Sequence, residues 1–467
     1  MLWACLLLPH LALDGVLRRR PDDDHPLVLV DGPLNARVVV AVNASAHQAG
    51  LHIGQRLTTA QALLARFEAI PYDASEVDRW QQFLASVAYR YSSQVVLLPH
   101  AIVLEISRSR SLLGEWPTIE RHLRHDFSAL GFHHRVAAAP TPHAAYVLAG
   151  VSDGQAVFTH DAMLHALDDV PLQHSRLPDD AIDALPRMGI RSLGQLLRMP
   201  RDGLQRRFGK TLLQAMDRLL GDAPAGFDLF VPPDAVDWRI ELSHEVENIA
   251  ALVFPLKRMM GDLAAYLSGR DGGVQRFVLQ LEHREGEATR VPVGMLSPER
   301  DADVLFEAAR GRLEQVQLPS PVLSLRLIVD DLPGFVPAGR DLFDERPANA
   351  LPFEQLRERL RARLGDRAVY RWGTTIDPRP EHSQRVAVQD ESFIEPRARP
   401  TWLLERPIPL RGNVHILAGP ERLETGWWDG GEMRRDYYIV ETTLGQLAWA
   451  FCAPDEQSGW MLHGWFA

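Results

Sequence analysis

Basic residues able to contact phosphates are concentrated in one stretch of this chain. The segment from Arg187 to Arg218 contains eight Lys or Arg but only two Asp, whereas the whole chain has a formal net charge of -11. Because Lys and Arg bind nucleic acids by neutralising phosphates, this local excess predicts weak, sequence-independent contact with DNA. A solvated helix face is the alternative interpretation. The predicted contacts are Arg187, Arg191, Arg206, Arg207 and Lys210.

A second stretch, residues 37–55, has the layout of a ligand-binding turn. A strand-like run from Val38 to Val42 is followed by a short polar turn and then by Gly50 and Gly54. This arrangement resembles the fingers of Y-family (translesion) DNA polymerases, where a Tyr and an Arg before the first glycine hold the incoming triphosphate. Here the matching positions are Ala44 and His47. The strand-turn-glycine pattern of a nucleotide site is present, but the side chains that would bind the phosphates are missing.

The metal ligands of a polymerase are also missing at the matching positions. Template-directed synthesis needs two metal ions about 4 Å apart, held by carboxylates. The resemblance implies an Asp-x-Asp at the end of the first strand and an Asp-Glu pair on a later hairpin. The sequence Leu104-Glu-Ile-Ser, similar to the family's Leu-Asp-Val-Thr, sets the register of that hairpin. The four positions then fall on Leu7, Pro9, Ser93 and Gln94, so we expect no bound metal, no cofactor and no polymerase activity.

Two enzymatic alternatives stay open at this point. An active Y-family translesion polymerase would need metal-binding acids displaced from the positions above. A helix-hairpin-helix repair enzyme, such as a lyase or nuclease, would need a Lys nucleophile or clustered acids, and the regions considered offer only Lys210 and Lys257. Nucleotide incorporation on a primed template with Mg²⁺ or Mn²⁺ separates the first alternative from a non-catalytic protein.

Strand-like and helical runs alternate over residues 1–160, which is an α/β pattern. Together with the parts that follow, the chain is predicted to be an α+β multidomain protein. The resemblance assigns a polymerase-like palm and fingers to residues 1–165 (fingers about 20–75) and a helical thumb to 166–230. Residues 236–332 read strand, helix, strand, strand, helix, strand, a split-βαβ unit similar to the little finger. Within the thumb, Leu185–Leu196 is similar to a helix-hairpin-helix, whose small residues let backbone N–H groups approach phosphates.

The composition is that of a globular protein with several domains. The chain has 467 residues, 46% of them hydrophobic and 24% charged. Two distant cysteines, Cys5 and Cys452, exclude a disulfide scaffold and are typical of the reducing cytoplasm. The apolar start, Leu2–Leu8, predicts a buried strand and not a signal peptide, because its arginines follow the apolar run. No run approaches the roughly 20 apolar residues of a membrane span.

A linker, residues 333–350, contains a sequence similar to sliding-clamp ligands. Such ligands end in Leu-Phe, with a Gln three residues before the Leu. The chain has Leu342 and Phe343 at this place, with Gly339 where the Gln would be. Since apolar anchors supply most of the energy at binding hot spots, we expect weakened clamp binding. An accidental Leu-Phe in a linker is the alternative.

The remaining residues, 351–467, form an extension that ordinary Y-family polymerases lack. It contains Arg399-Pro-Thr-Trp-Leu-Leu, Gly426-Trp-Trp-Asp-Gly-Gly and Leu462-His-Gly-Trp-Phe-Ala. Together with the altered palm, these sequences resemble the ImuB family, the polymerase-like subunits of bacterial DNA-damage mutagenesis cassettes. The resemblance implies a hub that ties an error-prone C-family DNA polymerase and a RecA-like protein of the ImuA type to the sliding clamp. Aromatic residues that could bind partners or form a core are Trp402, Trp427, Trp428, Tyr437 and Tyr438.

Overall fold

The computed structural model describes residues 1–335, except 21–24 and 225, and parts of 356–466. In the latter range it leaves out residues 358–359, 362–363, 366–367, 370, 375–376, 383 and 388–398. The chain divides into two compact units, Met1–Arg363 and Leu364–Ala467. The clamp-ligand sequence, with Gly339, Leu342 and Phe343, lies outside the described residues.

The N-terminal part of the first unit is an α/β region. Its elements in chain order are β1 (Trp3–Leu7), α1 (Leu11–Leu17), β2 (Leu27–Asp31), β3 (Val38–Val42), α2 (Ala44–Gln48), α3 (Leu57–Leu63), β4 (Glu68–Pro71), α4 (Ala74–Ala88), β5 (Val95–Leu98), β6 (Ala101–Glu105), α5 (Arg110–Leu113), α6 (Trp116–Ala129), β7 (Arg135–Ala139), α7 (Pro142–Val151) and β8 (Gln155–Ala156).

Two sheets organise this region. The larger has the strand order β5-β6-β1-β7-β8, with β1 antiparallel to both of its neighbours, and the smaller has the order β3-β2-β4. The middle and end of β1 are buried, because α4 and α6 cover one face of the larger sheet and α7 covers the other. The predicted buried strand at Leu2–Leu8 is therefore confirmed.

Four helices follow: α8 (His160–Asp168), α9 (Asp179–Ala184), α10 (Leu193–Leu197) and α11 (Arg201–Leu220). A 3₁₀ turn, Leu185–Met188, joins α9 to α10 and ends at Gly189, which has φ 83°. Helix α11 is broken at Gly209, where φ is 72°, a conformation that glycine adopts without steric cost. The break divides α11 into two shorter helices.

The last part of the first unit has the predicted split-βαβ order. Its elements are β9 (Val236–Val246), α12 (Val253–Gly269), β10 (Val274–His283), β11 (Thr289–Glu299), α13 (Ala302–Leu313) and β12 (Val322–Val329). The strand order is β11-β10-β12-β9, with every neighbouring pair antiparallel. Strands β9 and β10 are thus parallel to each other with β12 between them, as a split βαβ requires.

This split-βαβ part shares one hydrophobic core with the N-terminal region. Helix α12 packs on α4, and their backbones approach so closely that a Cβ at Gly269 would lie 2.0 Å from the carbonyl oxygen of Ser86. Phe83 of α4 contacts Trp238 of β9 edge to face, with ring centroids 5.4 Å apart. The two parts are therefore joined by packed side chains as well as by the connecting chain.

The second unit is mainly β-sheet. A hairpin of β13 (Arg371–Thr374) and β14 (Gln384–Ala387) precedes β15 (Trp402–Pro409), β16 (Val414–Thr425), β17 (Met433–Thr442), β18 (Leu447–Cys452) and β19 (Met461–Trp465). The last five form an antiparallel sheet of order β15-β19-β18-β17-β16. Among the described helices, none has the length and apolarity to cross a membrane.

Candidate functional site

A cavity of about 780 Å³ lies between the larger sheet and the smaller one, at the end of β1. Pro9, just after β1, lines it on one side, and Ala44 and His47 of α2 line it on the other. These are three of the positions where the sequence predicted lost polymerase ligands. Pro9 stands at a predicted metal-ligand position, and Ala44 and His47 stand at the predicted triphosphate-binding positions. The structure places all three around one cavity.

Asn43 holds α2 in place beside this cavity. Its side-chain oxygen accepts hydrogen bonds from the backbone N–H of Ala46 (2.9 Å) and of Leu27 (3.0 Å), and its side-chain N–H donates to the carbonyl of His25 (2.8 Å). The first bond is an N-cap, which satisfies a free N–H at the start of the helix. The other two tie that start to the beginning of β2, so the position of Ala44 and His47 is fixed by a buried asparagine.

Register in the larger sheet places the hairpin residues differently from the sequence prediction. Leu7 pairs with Ala101, and the N–H of Leu8 donates to the carbonyl of His100 (2.8 Å). His100 and Ala101 therefore stand next to the end of β1. Ser93 and Gln94 precede β5, whose first residue pairs with Leu104, and Leu104 pairs with Ala4.

The structure therefore does not bring Ser93 and Gln94 to the predicted metal site. They lie towards the end of the sheet opposite to Leu7. The signal that could have found the correct positions is Pro99-His100, which interrupts two apolar runs and forms the turn between β5 and β6. Neither the imidazole of His100 nor the side chain of Ala101 supplies the oxygen ligands of a magnesium pair.

Few carboxylates face this cavity. Asp31, at the end of β2, is the one acid among its described lining residues, which also include His10 and His100. The nearby Asp14 is buried, and its two oxygens accept hydrogen bonds from the backbone N–H and the ring of His133 (2.9 and 2.8 Å). Burial raises the pKa of Asp14. Within the described part of the chain, no three His, Cys, Asp or Glu side chains are arranged to hold a metal ion.

A second candidate surface is formed by the predicted DNA-binding residues. Arg187 and Arg191 lie on either side of the turn at Gly189, and Arg206, Arg207 and Lys210 lie around the break at Gly209. All five side chains are exposed, and none pairs with an acid within the described residues. By contrast, Arg198 bonds to Asp168 and Arg201 bonds to Asp217, so these two charges are already neutralised.

The backbone at these turns is open to a ligand. A Cβ added at Gly189 or Gly209 would meet nothing within 4 Å, whereas one at Gly194 would overlap Asp168. Gly194 is therefore needed for packing, and the other two glycines leave their backbone accessible. Lys210 also follows the break, at the start of a helix whose N-terminus attracts anions. The arrangement suits contact with phosphates, and the DNA-binding role of these residues stays a prediction.

The five aromatic residues noted in the second unit divide into two groups. Tyr437 and Tyr438 of β17 are buried, and Tyr437 stacks on Trp449 with ring centroids 4.1 Å apart. Trp402, Trp427 and Trp428 are 69%, 78% and 55% exposed. The tyrosines are therefore core residues, and the three tryptophans are exposed to solvent.

The chain is similar to several known proteins. Residues 16–150 match the impB/mucB/samB family. Solved structures that the chain resembles include a Y-family DNA polymerase chimera (13% identity, TM-score 0.42, covering 71% of this chain and 98% of that chain) and DinB from Sulfolobus solfataricus (13% identity, TM-score 0.39, covering 72% and 100%).

A curated relative covers more of the chain. Protein ImuB from Caulobacter vibrioides strain NA1000 / CB15N is 25% identical over 460 residues, which are 89% of this chain and the whole of that protein. The same figures hold for Protein ImuB from strain ATCC 19089 / CIP 103742 / CB 15. This chain is therefore similar to ImuB proteins over most of its length, and the resemblance predicted from its sequence is confirmed.

Proposed function

We propose that this protein is a non-catalytic adaptor of translesion DNA synthesis in the bacterial cytoplasm. It links an error-prone C-family DNA polymerase and a RecA-like, ImuA-type protein to the sliding clamp during DNA-damage-induced mutagenesis, as part of the SOS response. It touches DNA weakly, through Arg187, Arg191, Arg206, Arg207 and Lys210. Similarity to the ImuB proteins supports the choice of partners.

The cavity at the end of β1 carries the non-catalytic part of this proposal. A polymerase stabilises the attacking and leaving oxygens of the reaction with two metal ions held by carboxylates. Here the strand end has Leu7 and Pro9, and the adjacent turn has His100 and Ala101. Ala44 and His47 replace the groups that would hold the triphosphate. A cavity is present at this place, while the groups around it differ from those of a polymerase.

Primer extension tests this part. Purified protein should incorporate no nucleotide on a primed template with either Mg²⁺ or Mn²⁺, while a Y-family polymerase assayed alongside extends the primer. Asp31→Asn is the informative variant, because Asp31 is the acid that lines the cavity. Extension by the parent protein that disappears in Asp31→Asn would support the alternative, an active polymerase with displaced metal ligands.

Binding measurements test the adaptor part. Each purified partner is immobilised in turn: the sliding clamp, the C-family polymerase and the RecA-like protein. We expect the full chain to bind all three, and to retain the clamp while it binds the polymerase. A chain that binds none of them would contradict the proposal even if it also failed to extend a primer.

A further inference from the structure

A rigid turn in the second unit presents two exposed tryptophans. This turn, residues 426–432, connects β16 to β17 and is called the tryptophan tip below. Its indoles, Trp427 and Trp428, lie nearly perpendicular to each other, with ring centroids 5.6 Å apart. Their side chains are 78% and 55% exposed, so the tip leaves a large apolar area in water.

The backbone of the tryptophan tip is tightly folded. Gly426 and Gly430 both have positive φ, 83° and 77°. A Cβ at Gly426 would lie 2.2 Å from the carbonyl oxygen of Gly431, so the two ends of the turn are in contact. The N–H of Gly431 donates to the carboxylate of Asp429 (3.0 Å). The turn is therefore closed by its own backbone and by one aspartate.

A buried arginine, Arg379, stabilises the turn. Arg379 donates to the carboxylates of Asp429 and Asp377, each at 2.6 Å, and its guanidinium lies 5.8 Å from the ring of Trp428. The hydrogen bonds that Asp377 accepts from Arg379 lower the pKa of Asp377 to about 2. Aromatic side chains held in place before binding lose little conformational entropy when a partner covers them.

The charges at the tryptophan tip disfavour the binding of nucleic acid. The exposed acids Glu424, Asp429 and Glu432 stand on or beside the turn. Of the nearby cations, Arg434 pairs with Glu432 (3.0 Å), and Arg379 is enclosed by its two aspartates. Within the described residues, no cation of the tip is left to meet a phosphate, although single-stranded DNA needs such cations as well as stacking rings.

We propose that the tryptophan tip inserts into an apolar pocket with a basic rim on a protein partner of the adaptor other than the clamp. This inference rests on the proposed function and adds the residues that make the contact. Trp427 and Trp428 fill the pocket, and the acids around them meet the rim. Tryptophan is among the residue types most enriched at binding hot spots, which supports this use of the tip.

Binding of purified full-length variants to the immobilised C-family polymerase and RecA-like protein tests the inference. The double variant Trp427→Ala with Trp428→Ala should bind one of these two proteins at least about 100-fold more weakly, because each truncated hot-spot anchor weakens binding more than tenfold. Trp402→Ala is the matched control, since Trp402 is an exposed tryptophan on β15 and should leave the affinity within about threefold. Clamp binding should not change in either variant.

Several results would overturn the inference. Equal affinity of parent and double variant for both proteins would show that the tip is not a contact, while leaving the adaptor proposal intact. An equal loss in Trp402→Ala would show that exposed indoles act without specificity. Quenching of tip fluorescence by single-stranded oligothymidine, lost in the double variant, would make the tip a base-stacking platform. Absence of binding by the parent protein would remove both the adaptor proposal and this inference.

Discussion

Arg18 and Asp262 form a buried, two-pronged ion pair across 244 residues of sequence. The guanidinium donates to both carboxylate oxygens, at 2.9 and 2.6 Å, and to the carbonyl of Leu130 at 2.9 Å. It also lies over the rings of Trp80 and Phe132, at 4.6 and 4.9 Å. Because Arg18 follows α1 and Asp262 belongs to α12, this pair joins the N-terminal region to the split-βαβ part.

Removing one member of this pair should be strongly destabilising. Asp262→Ala leaves a buried guanidinium without its counter-charge, which typically costs about 3–5 kcal/mol of the free energy of unfolding. Asp237→Ala is the control, because Asp237 forms a similar two-pronged pair with Arg326 on the exposed outer face of the sheet, where pairs are worth about 0–1 kcal/mol. Urea unfolding of both variants measures the difference, and equal losses would show that burial does not decide the strength of these pairs.

Two glycines of α12 should respond oppositely to alanine. Gly269→Ala places a methyl group 2.0 Å from the carbonyl oxygen of Ser86, so α12 must move away from α4, at a cost of about 1–3 kcal/mol or more. Gly261→Ala meets nothing within 4 Å and should stabilise the helix by up to about 1 kcal/mol. Thermal unfolding compares the two, and a stabilising Gly269→Ala would contradict the packing of α12 on α4.

DNA binding should depend on the exposed cations around Gly209. Replacing Arg206, Arg207 and Lys210 together with Ala should weaken binding to any sequence and reduce the salt slope by about 0.9 for each lost phosphate contact. The control is Arg198→Ala with Arg201→Ala, whose charges are already paired with Asp168 and Asp217. Fluorescence anisotropy across a salt series measures both quantities. An unchanged curve for the triple variant would place the DNA site elsewhere.

Clamp binding should depend on the linker. Leu342→Ala with Phe343→Ala removes two apolar anchors worth roughly 1.5–3 kcal/mol each, enough to abolish a micromolar interaction near -8 kcal/mol. Gly339→Gln should tighten binding, since one hydrogen bond contributes about 1 kcal/mol. Pro347→Ala in the same linker is the control. Surface plasmon resonance on immobilised clamp decides the matter, and equal affinity of parent and double variant would make Leu342 and Phe343 ordinary linker residues.

Acid should weaken the second unit through a buried polar cluster. Burial lowers the pKa of His463, whose ring nitrogen Nδ1 lies 2.8 Å from the Tyr437 hydroxyl. Burial raises the pKa of Glu381, but the hydrogen bond from Arg435 (2.7 Å) and the charges of Arg435 and His463 outweigh it and lower the pKa. Both groups release protons more readily when folded, so stability falls as pH drops below about 6.5 for the histidine and about 4.5 for the glutamate.

Hydrogen exchange of peptides from β17 and β18 at a series of pH values measures this effect. Protection should decrease steadily below about pH 6.5. Glu381→Gln keeps a hydrogen-bond acceptor for Arg435 but does not titrate, so its protection should lose the component of the decrease that occurs below about pH 4.5. A parent protein with constant protection from neutral to acidic pH would contradict the contribution of this cluster.

The sequence predicts the order of elements well, because strand-like and helical runs alternate clearly. The split-βαβ order of residues 236–329 and the buried first strand are confirmed. The predicted hairpin register is wrong at Ser93 and Gln94, because the strand that ends at Leu104-Glu-Ile-Ser places His100 and Ala101 beside the end of β1. The Pro99-His100 interruption marks the position of the turn between β5 and β6, whereas the positive φ of His100, 52°, is not evident from residue types.

Long-range contacts determine the environment of other residues. Adjacent residues of a strand face opposite sides, so Tyr437 and Tyr438 would be expected to divide between core and solvent. Both are buried, because Trp449 and His463 cover Tyr437 while Trp460 contacts Tyr438. Likewise, a run of three arginines such as Arg18–Arg20 is typical of a solvent-exposed segment, yet the fold buries Arg18 beside Asp262. Neither outcome has a local signal in the sequence.

The close fit of α12 against α4 also determines which fragments of the chain can exist alone. A fragment ending before β9 would expose the apolar side of α4, with Phe83 and Trp80, to water. The same cut would leave the Arg18 guanidinium without a carboxylate. The shortest N-terminal fragment expected to fold alone therefore ends after β12. A fragment that stops at the end of α11 is expected to aggregate.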